Sequence, residues 1–443
     1  MQRFLINDAV KQVGEKVRVC GWVNTWRAHG KILFIDLRDI SGIMQVVFVP
    51  SNAEVYELAK QLRPEWVVEI IGQVVKRPEN MVNPNMETGQ VELSVESLKV
   101  LSDAETPPIP VGEENVEETE IDKRMDWRWI DLRKAKNALV FKVWTLMEAA
   151  FREYWIANNY LEIHSPKLIA TASESGAEVF EVKYFNKKAY LAQSPQFYKQ
   201  MAMASGFERV FEAGPVFRAE PSFTSRHATE FTGYDAEISF INSHYDVIEE
   251  EERMIAYALG KIKATYGEEI LKTFGREVIV PSLPFPRVSM KEAKEILSGR
   301  GIKVDKDGDL SPEEERGLGE YVKEKFGHEF VFVTEYPVSV RPFYHMHDEK
   351  DPTLTKSSDL LWNGIEIATC AQREHRYDIL VSQAKKKGMN VKKLQFYLDF
   401  FKYGCPPHGG YGLGANRMIM KLLAIDNVRD AMFVYRGVKR LTP

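Results

Sequence analysis

The sequence predicts an α+β chain in two parts, a small closed β-barrel and then a larger α+β or antiparallel-sheet domain. Three observations carry this. The first hundred residues hold short runs of alternating apolar and polar residues, and a proline-rich, then acidic stretch follows. Beyond it, helix and strand patterns mix without a regular βαβ period. A length of 443 residues gives two or three domains room for a sizeable core.

Residues 1–104 hold the barrel. Val17, Val19 and Val23 alternate in VRVCGWV; ILFIDLRDI and GIMQVVFVP follow, with Ser41-Gly42 as the turn between them. VVEIIGQVV and QVELSVESLKV add two strands, and a short helix is expected near Glu54–Leu62. Five strands and one short helix suit a closed barrel of the kind that binds oligonucleotides. Thr106–Glu120 has little to bury, so 105–130 reads as a linker. The second domain spans 131–443, and its charged, helix-rich stretch 267–330 reads as an insertion. There, Asp305, Asp307 and Asp309 resemble a calcium loop, but Gly308 comes too early for its turn. Ser311-Pro312 reads instead as the start of a helix.

Composition narrows the function. With 59 basic and 64 acidic side chains the formal charge is −5, which argues against indiscriminate binding of nucleic acid but leaves room for local basic patches. A hydrophobic share of 44% and a charged share of 28% exclude a disordered chain or a small disulfide scaffold. No apolar run reaches about 18 residues, and no signal-peptide core follows Met1, so no membrane association is expected. Cys20, Cys370 and Cys405 are scattered without a CxxC pair, which fits reduced thiols in a cytosol.

Four constellations could carry chemistry. In SPQFYKQ (Ser194–Gln200), Ser194 is a plausible N-cap and Pro195 a first helical residue, placing Gln196 and Lys199 on one face. A lysine there opposes the positive end of the helix dipole unless an anion sits before it, although a solvated surface lysine is the blander reading. In FRAE (Phe217–Glu220), period two puts Arg218 and Glu220 on one face, and Phe231, Gly233 and Asp235 share a face on the next strand. Arg226-His227 lie on the loop between. Such a pair could clamp a phosphate, an adenine ring and an ammonium group, or be a half-exposed hairpin. In GGYGLGANR (Gly409–Arg417), alternating glycines admit a close approach, and Arg417 falls in the first turn of a helix. The stretch is neither a P-loop nor a Rossmann fingerprint. Finally, Asp359 and Glu366 flank Asn363-Gly364 as hard-oxygen ligands for Mg²⁺. Arg373 follows Glu366 at an odd spacing, so a shared site requires a bulge or bend between them.

In this order the segments resemble the class II aminoacyl-tRNA synthetases, aspartyl branch, archaeal/eukaryotic catalytic type. Asn158 to Pro166 is similar to the dimer-forming first motif, Phe217–Phe231 to the second, and GLGANR (Gly412–Arg417) to the third. LAQSPQFYKQ, ASESGAEVF, RPFYHM, AQREHRYD and YGCPPH match the aspartyl branch.

The resemblance implies an N-terminal OB barrel and an antiparallel six-stranded catalytic sheet flanked by helices. It implies a cytoplasmic homodimer, joined around Pro166, that activates L-aspartate with ATP and passes it to the terminal ribose of tRNA(Asp), with tRNA(Asn) left open as a second acceptor. By the same matching, Arg218 and Arg417 are the catalytic arginines on the α- and γ-phosphates. Phe231 and Arg417 sandwich adenine, with Glu220 near its amino group and Gly414 beside the nucleotide. Arg226 and His227 reach the outer phosphates, and Asp359, Glu366 and Thr369 carry Mg²⁺. Lys199 and Arg373 face the β-carboxylate, while Glu174, Gln196, Asp235 and Thr369 surround the rest of the amino acid. An ionised carboxylate attacks phosphorus, so no general base is required and catalysis rests on positioning and charge. Lys199 favours aspartate over asparagine.

The barrel supports this by its own pattern. Leu33, Ile35 and Leu37 face inward in ILFIDLRD, which leaves Phe34 outward beside Asp36 and Arg38, suited to stacking on a base. The resemblance adds Arg27, Gln45 and Glu92 as anticodon contacts. The chain departs from the family at Cys370, which adds bulk where the family has glycine. Asn416 replaces an acidic residue, and the tail reads Val434-Tyr435-Arg436. Two other readings compete: an amide ligase passing activated aspartate to ammonia, and an inert tRNA-binding protein. Phe34 argues against the first, and Arg218, Glu220, Asp359, Glu366 and Arg417 against the second.

Overall fold

The computed structural model describes residues 1–112, 119–173, 178–221, 224–305 and 308–443. The chain divides into two compact units, Met1–Ala138 and Leu139–Pro443.

The first unit is a barrel of β1 (Lys16–His29), β2 (Ile32–Arg38), β3 (Ile43–Phe48), β4 (Val67–Lys76) and β5 (Val91–Ser102). These strands run in the order β1-β2-β3-β5-β4, and the β1–β4 pairing closes the ring. Helix α1 (Ala53–Ala59) lies between β3 and β4 in the chain and ends short of the expected Leu62. Val17, Val19, Val23, Leu33, Ile35 and Leu37 all enter one core, as the alternation requires. The outward residues of β2 are less exposed than the pattern suggests. Arg38 is buried against Glu65 at 2.8 and 2.9 Å, Asp36 is covered by Arg27, and Phe34 is half-buried. The linker also buries more than expected, because Ile109 and Val111 pack on Ile130 and Trp127. Residues 113–118 lie outside the described residues.

The second unit opens with α2 (Ala135–Ala157) and is built on β6 (Leu161–Glu162), β7 (Arg209–Phe217), β8 (Glu230–Ser239), β9 (Arg287–Ser289), β10 (Phe330–Thr334), β11 (Ser357–Trp362), β12 (Ile365–Gln372) and β13 (His408–Gly414). Their order is β9-β10-β11-β12-β13-β8-β7-β6. The six central strands are antiparallel, as expected. Two short strands, β9 and β6, add parallel edges and make the sheet eight-stranded. One face is covered by α2 and by α4 (His244–Phe274), reached after α3 (Gln196–Ala204). Trp155 of α2 stacks on Phe211 at 4.5 Å and donates to the Tyr411 hydroxyl at 2.9 Å, and that hydroxyl lies 3.1 Å from the Met254 sulfur of α4. The other face carries the polar site.

The stretch 267–330, expected as an insertion, is not set apart from the sheet. It begins inside α4, supplies β9, and carries α5 (Met290–Gly299) and α6 (Pro312–Phe326). Leu297, Leu318 and Val322 of these helices share a core with Val331, Val333 and Leu361 of the sheet, so apolar burial makes them one layer with it. Ser311 caps α6 in a capping box with Glu314, as the sequence suggests, whereas Asp307 lies outside the described residues. Helices α7 (Tyr377–Lys386) and α8 (Val391–Leu398) pack against Phe197 of α3 and Phe343. The chain then enters α9 (Ala415–Leu422) directly from β13.

Candidate active site

A cavity of about 340 Å³ opens on the uncovered face, lined by side chains from β7, β8, β12, β13, α3 and α9. It brings together Gln196, Lys199, Arg218, Glu220, Arg226, His227, Phe231, Asp235, Glu366, Thr369, Arg373, Gly414 and Arg417. Glu174 lies outside the described residues. Asp359 does not line the cavity. It is buried behind it and ion-paired to Arg341 at 2.7 Å.

At its deep end the cavity holds a charge lattice. Helix α3 begins at Gln196 with Pro195 in the capping position, one residue later than expected; the Ser194 hydroxyl still accepts from the Gln196 backbone N–H at 3.3 Å. Lys199, 2% exposed, donates to Asp235 at 2.9 Å and to the Tyr411 carbonyl at 3.0 Å, and its ammonium lies 3.4 Å from Glu237. The anion expected before this lysine is therefore the protein's own. Arg373, 3% exposed, grips the other side of Glu237 at 2.9 Å and donates to the Gly410 carbonyl at 3.0 Å and to His345 Nε2 at 3.1 Å. Two cations and two carboxylates compensate one another here, as burial demands. Burial pushes the Glu237 carboxyl up, but Arg373 and Lys199 outweigh it and hold the group below its ordinary value. His345 is held well below its usual value by burial and by Arg373, so the ring stays neutral and accepts from the guanidinium. Gly410 makes this geometry possible: a Cβ there would run into the Ala236 carbonyl and the Glu237 carboxylate.

The outer end is arginine-rich. Strand β7 stops at Phe217, so Arg218 and Glu220 sit beyond the strand on irregular chain, and lining one cavity rather than period two unites them. The Arg218 guanidinium lies 5.5 Å from the Phe231 ring centroid, and its buried Nε has no hydrogen-bond partner among the described residues. Arg417, in the first turn of α9, donates to the Glu366 carbonyl at 2.9 Å and to its carboxylate at 3.3 Å. Arg226 is ion-paired to Glu315 at 2.7 Å. The bulge that Glu366 and Arg373 require is present: Leu360 faces Ala368 and Leu361 faces Glu366, leaving Ile367 as the extra residue. Burial pushes the Asp359 carboxyl up to about 6, with neighbouring Glu366 adding to the shift and Arg341 opposing it. Glu366 is held low by Arg417 and Arg341 against burial. Cys370 points away from this face, to Ser358 at 2.8 Å, so its bulk does not enter the cavity. Asn416 does line it, with its Oδ1 buried and unpartnered among the described residues.

Residues 120–435 match the family described as tRNA synthetases class II (D, K and N), and residues 17–101 match the OB-fold nucleic acid binding domain. The chain belongs to the class II tRNA synthetases. It is 42% identical to an aspartate–tRNA(Asp/Asn) ligase of Aeropyrum pernix, over 97% of this chain and 96% of that protein. It is 40% identical to an aspartate–tRNA(Asp) ligase of Pyrococcus horikoshii, covering 97% of each. Among solved structures it resembles an asparaginyl-tRNA synthetase from Pyrococcus horikoshii complexed with asparaginyl-adenylate, with a TM-score of 0.91, 34% identity and full coverage of both chains. A putative aspartyl-tRNA synthetase from Leishmania major gives 0.87 and 30%, covering all of this chain and 95% of that one. As a class II synthetase the chain is a ligase that works with ATP and a divalent metal. No described helix is long and apolar enough to cross a membrane.

Sequence reasoning missed four residues of this synthetase. Glu237 continues the row Phe231, Gly233, Asp235 by two, so the same periodicity could have found it. Arg341 and His345 lie inside RPFYHM, which carried no residue assignment. Glu315 sits in a helix with several glutamates, and nothing local marks it.

In the barrel, the four proposed anticodon residues form one connected face. Arg27 donates to Asp36 at 2.7 and 3.1 Å and to Gln45 at 2.7 Å, and Gln45 donates to Glu92 at 2.9 Å. The Arg27 guanidinium lies 5.8 Å from the Phe34 ring centroid.

Proposed function

We propose that this synthetase joins L-aspartate to tRNA(Asp), first forming aspartyl-adenylate from ATP. The observation that carries the choice of amino acid is that Lys199 and Arg373, which line the cavity with Arg218, Arg226 and Arg417, both grip the buried Glu237. The lattice fixes both cations by a protein carboxylate, and both line the cavity where the second negative charge of the substrate would sit. Asp235 would accept the α-ammonium, together with Gln196, both of which line the cavity. Arg218, whose Nε has no partner among the described residues, would hold the α-phosphate. The α-carboxylate oxygen attacks the α-phosphorus and the bond to pyrophosphate breaks, with Arg218 and Arg417 countering the charge that builds. In the second step a terminal ribose hydroxyl of tRNA attacks the activated carbonyl and AMP leaves. Phe231 opposes Arg417 across the adenine, with Glu220, His227 and Gly414 around the nucleotide.

Glu366 and Asp359, with the Thr369 hydroxyl, would hold Mg²⁺. Glu366 and Thr369 line the cavity, with Thr369 donating to Glu366 at 3.1 Å; Asp359, buried behind them against Arg341, keeps Oδ1 without a partner among the described residues as the donor such an ion would draw on. Few protein oxygens suit an ion that keeps waters and phosphate oxygens as ligands. When bound, the ion would neutralise phosphate charge. A homodimer through the segment around Pro166 is supported by the edge strand β6 and the exposed Ile156, Leu161 and Leu168. A cytoplasmic location is supported by three unbonded cysteines and by the substrates of the reaction. Phe34, Arg27, Gln45 and Glu92 would read the anticodon. Whether tRNA(Asn) is a second acceptor is decided by charging each purified tRNA.

The test is ATP–pyrophosphate exchange. We expect a strong response to L-aspartate and almost none to asparagine or lysine, since a site built on charged hydrogen bonds can reject an analogue by ~10⁴-fold. Equal exchange with asparagine would remove Lys199 from its role.

A further inference from the structure

The stretch 267–330 has no part in the function derived so far, yet one of its side chains pairs with an arginine that lines the cavity. Glu315, in the first turn of α6, accepts from Arg226 Nη1 at 2.7 Å, and the two side chains are 10% and 18% exposed. Three features fix its place. The Ser311–Glu314 box caps α6, and Lys294 of α5 donates to Glu314 at 2.7 Å. The turn between β11 and β12 lies hard against the helix, where a Cβ on Gly364 would overlap the Arg316 backbone. Arg226 stands on the loop between β7 and β8 and spends one nitrogen on Glu315. Among the described residues its Nε and Nη2 make no hydrogen bond, and the residue lines the cavity.

We propose that Glu315 is a positioning residue for ATP, holding the Arg226 guanidinium by one edge so that the other edge meets the outer phosphates. This rests on the reading of Arg226 as a phosphate ligand. A carboxylate so near a triphosphate is unfavourable alone; paired with Arg226 it stops a long cationic side chain from sampling solvent, so less freedom is lost when ATP binds.

The experiment is ATP–pyrophosphate exchange on the full-length protein, with KM for ATP and for aspartate measured separately. Glu315→Gln is expected to raise the ATP KM about tenfold, the size of one charged hydrogen bond, with the aspartate KM and the thermal midpoint unchanged. Combined with Arg226→Gln it should add almost nothing to the loss from Arg226→Gln alone. Should Glu315→Gln not fold, Glu315→Asp, with the carboxylate drawn back by one methylene, should show a smaller rise in the same constant. An unchanged ATP KM in both Glu315 variants, or losses that multiply in the double variant, would overturn the proposal. So would a lower ATP KM, the result expected if Glu315 competed with phosphate for Arg226. If Arg226→Gln itself leaves the ATP KM unaltered, the underlying reading of Arg226 fails and takes the proposal with it.

Discussion

Among single residues, Glu251 shows how much burial can cost. It sits in α4, on the covered face of the sheet, with both carboxylate oxygens buried and unpartnered among the described residues. Burial pushes its carboxyl from the ordinary 4.5 up to about 8, helped by Asp359 and Glu252 and opposed by Lys199. A raised folded-state value means that the group's contribution to stability is complete below about 4.5 and is lost as pH climbs toward about 8. Glu251→Gln keeps the shape and cannot ionise. We expect its stability advantage over the parent to be flat below that window and to grow by about 1.4 kcal/mol per pH unit within it. Urea unfolding at several pH values across the window reads this directly; parallel curves would show that the carboxyl is solvated. Glu237, equally buried, behaves oppositely because two cations meet it. Removing either member of such a pair costs about 3–5 kcal/mol.

At the level of elements, β13 and β8 form the floor of the site, and Gly410 and Gly412 of β13 face Glu237 and Asp235 of β8. Gly410→Ala would drive a methyl into the Ala236 carbonyl and the Glu237 carboxylate, so both register and charge lattice suffer. We expect a loss of stability of about 1–3 kcal/mol with aspartate-dependent exchange nearly abolished, checked by thermal unfolding beside the exchange assay. Normal exchange would mean that the strands separate without disturbing Glu237. This pairing also shows what the residues did and did not reveal beforehand. Alternating glycines announced a close approach, and period two placed Phe231, Gly233 and Asp235 on one face. The approaching group was a carboxylate from the neighbouring strand, which only the register of β8 on β13 identifies. Likewise the need for a bulge before Arg373 was legible from spacing, while its position at Ile367 depends on how β11 pairs with β12. The helices of 267–330 were legible from their caps and charge, but their membership of the sheet's core was not, because those apolar partners are distant in sequence.

For the whole molecule, the proposed roles fall on two compact units. The barrel face of Arg27, Phe34, Gln45 and Glu92 lies within Met1–Ala138, and the cavity within Leu139–Pro443. Phe34→Ala should therefore weaken tRNA charging roughly tenfold, the worth of one stacked base, and leave ATP–pyrophosphate exchange intact. A parallel loss of both would make Phe34 a structural residue. Within the second unit, the loop that carries Arg226 and His227 is stitched to chain far downstream. Val428 donates to the Ser225 carbonyl at 2.8 Å, Thr229 to the Arg436 carbonyl at 3.0 Å, and the Tyr435 hydroxyl to the His227 carbonyl across 208 residues of sequence. Two of those stitches are purely backbone, so the unusual tail sequence is tolerated. Such non-local closure is the slow kind. A ribosome making this chain must release residues 428–436 before the loop of Arg226 and His227 gains its backing, so that loop is among the last parts of the cavity wall to settle.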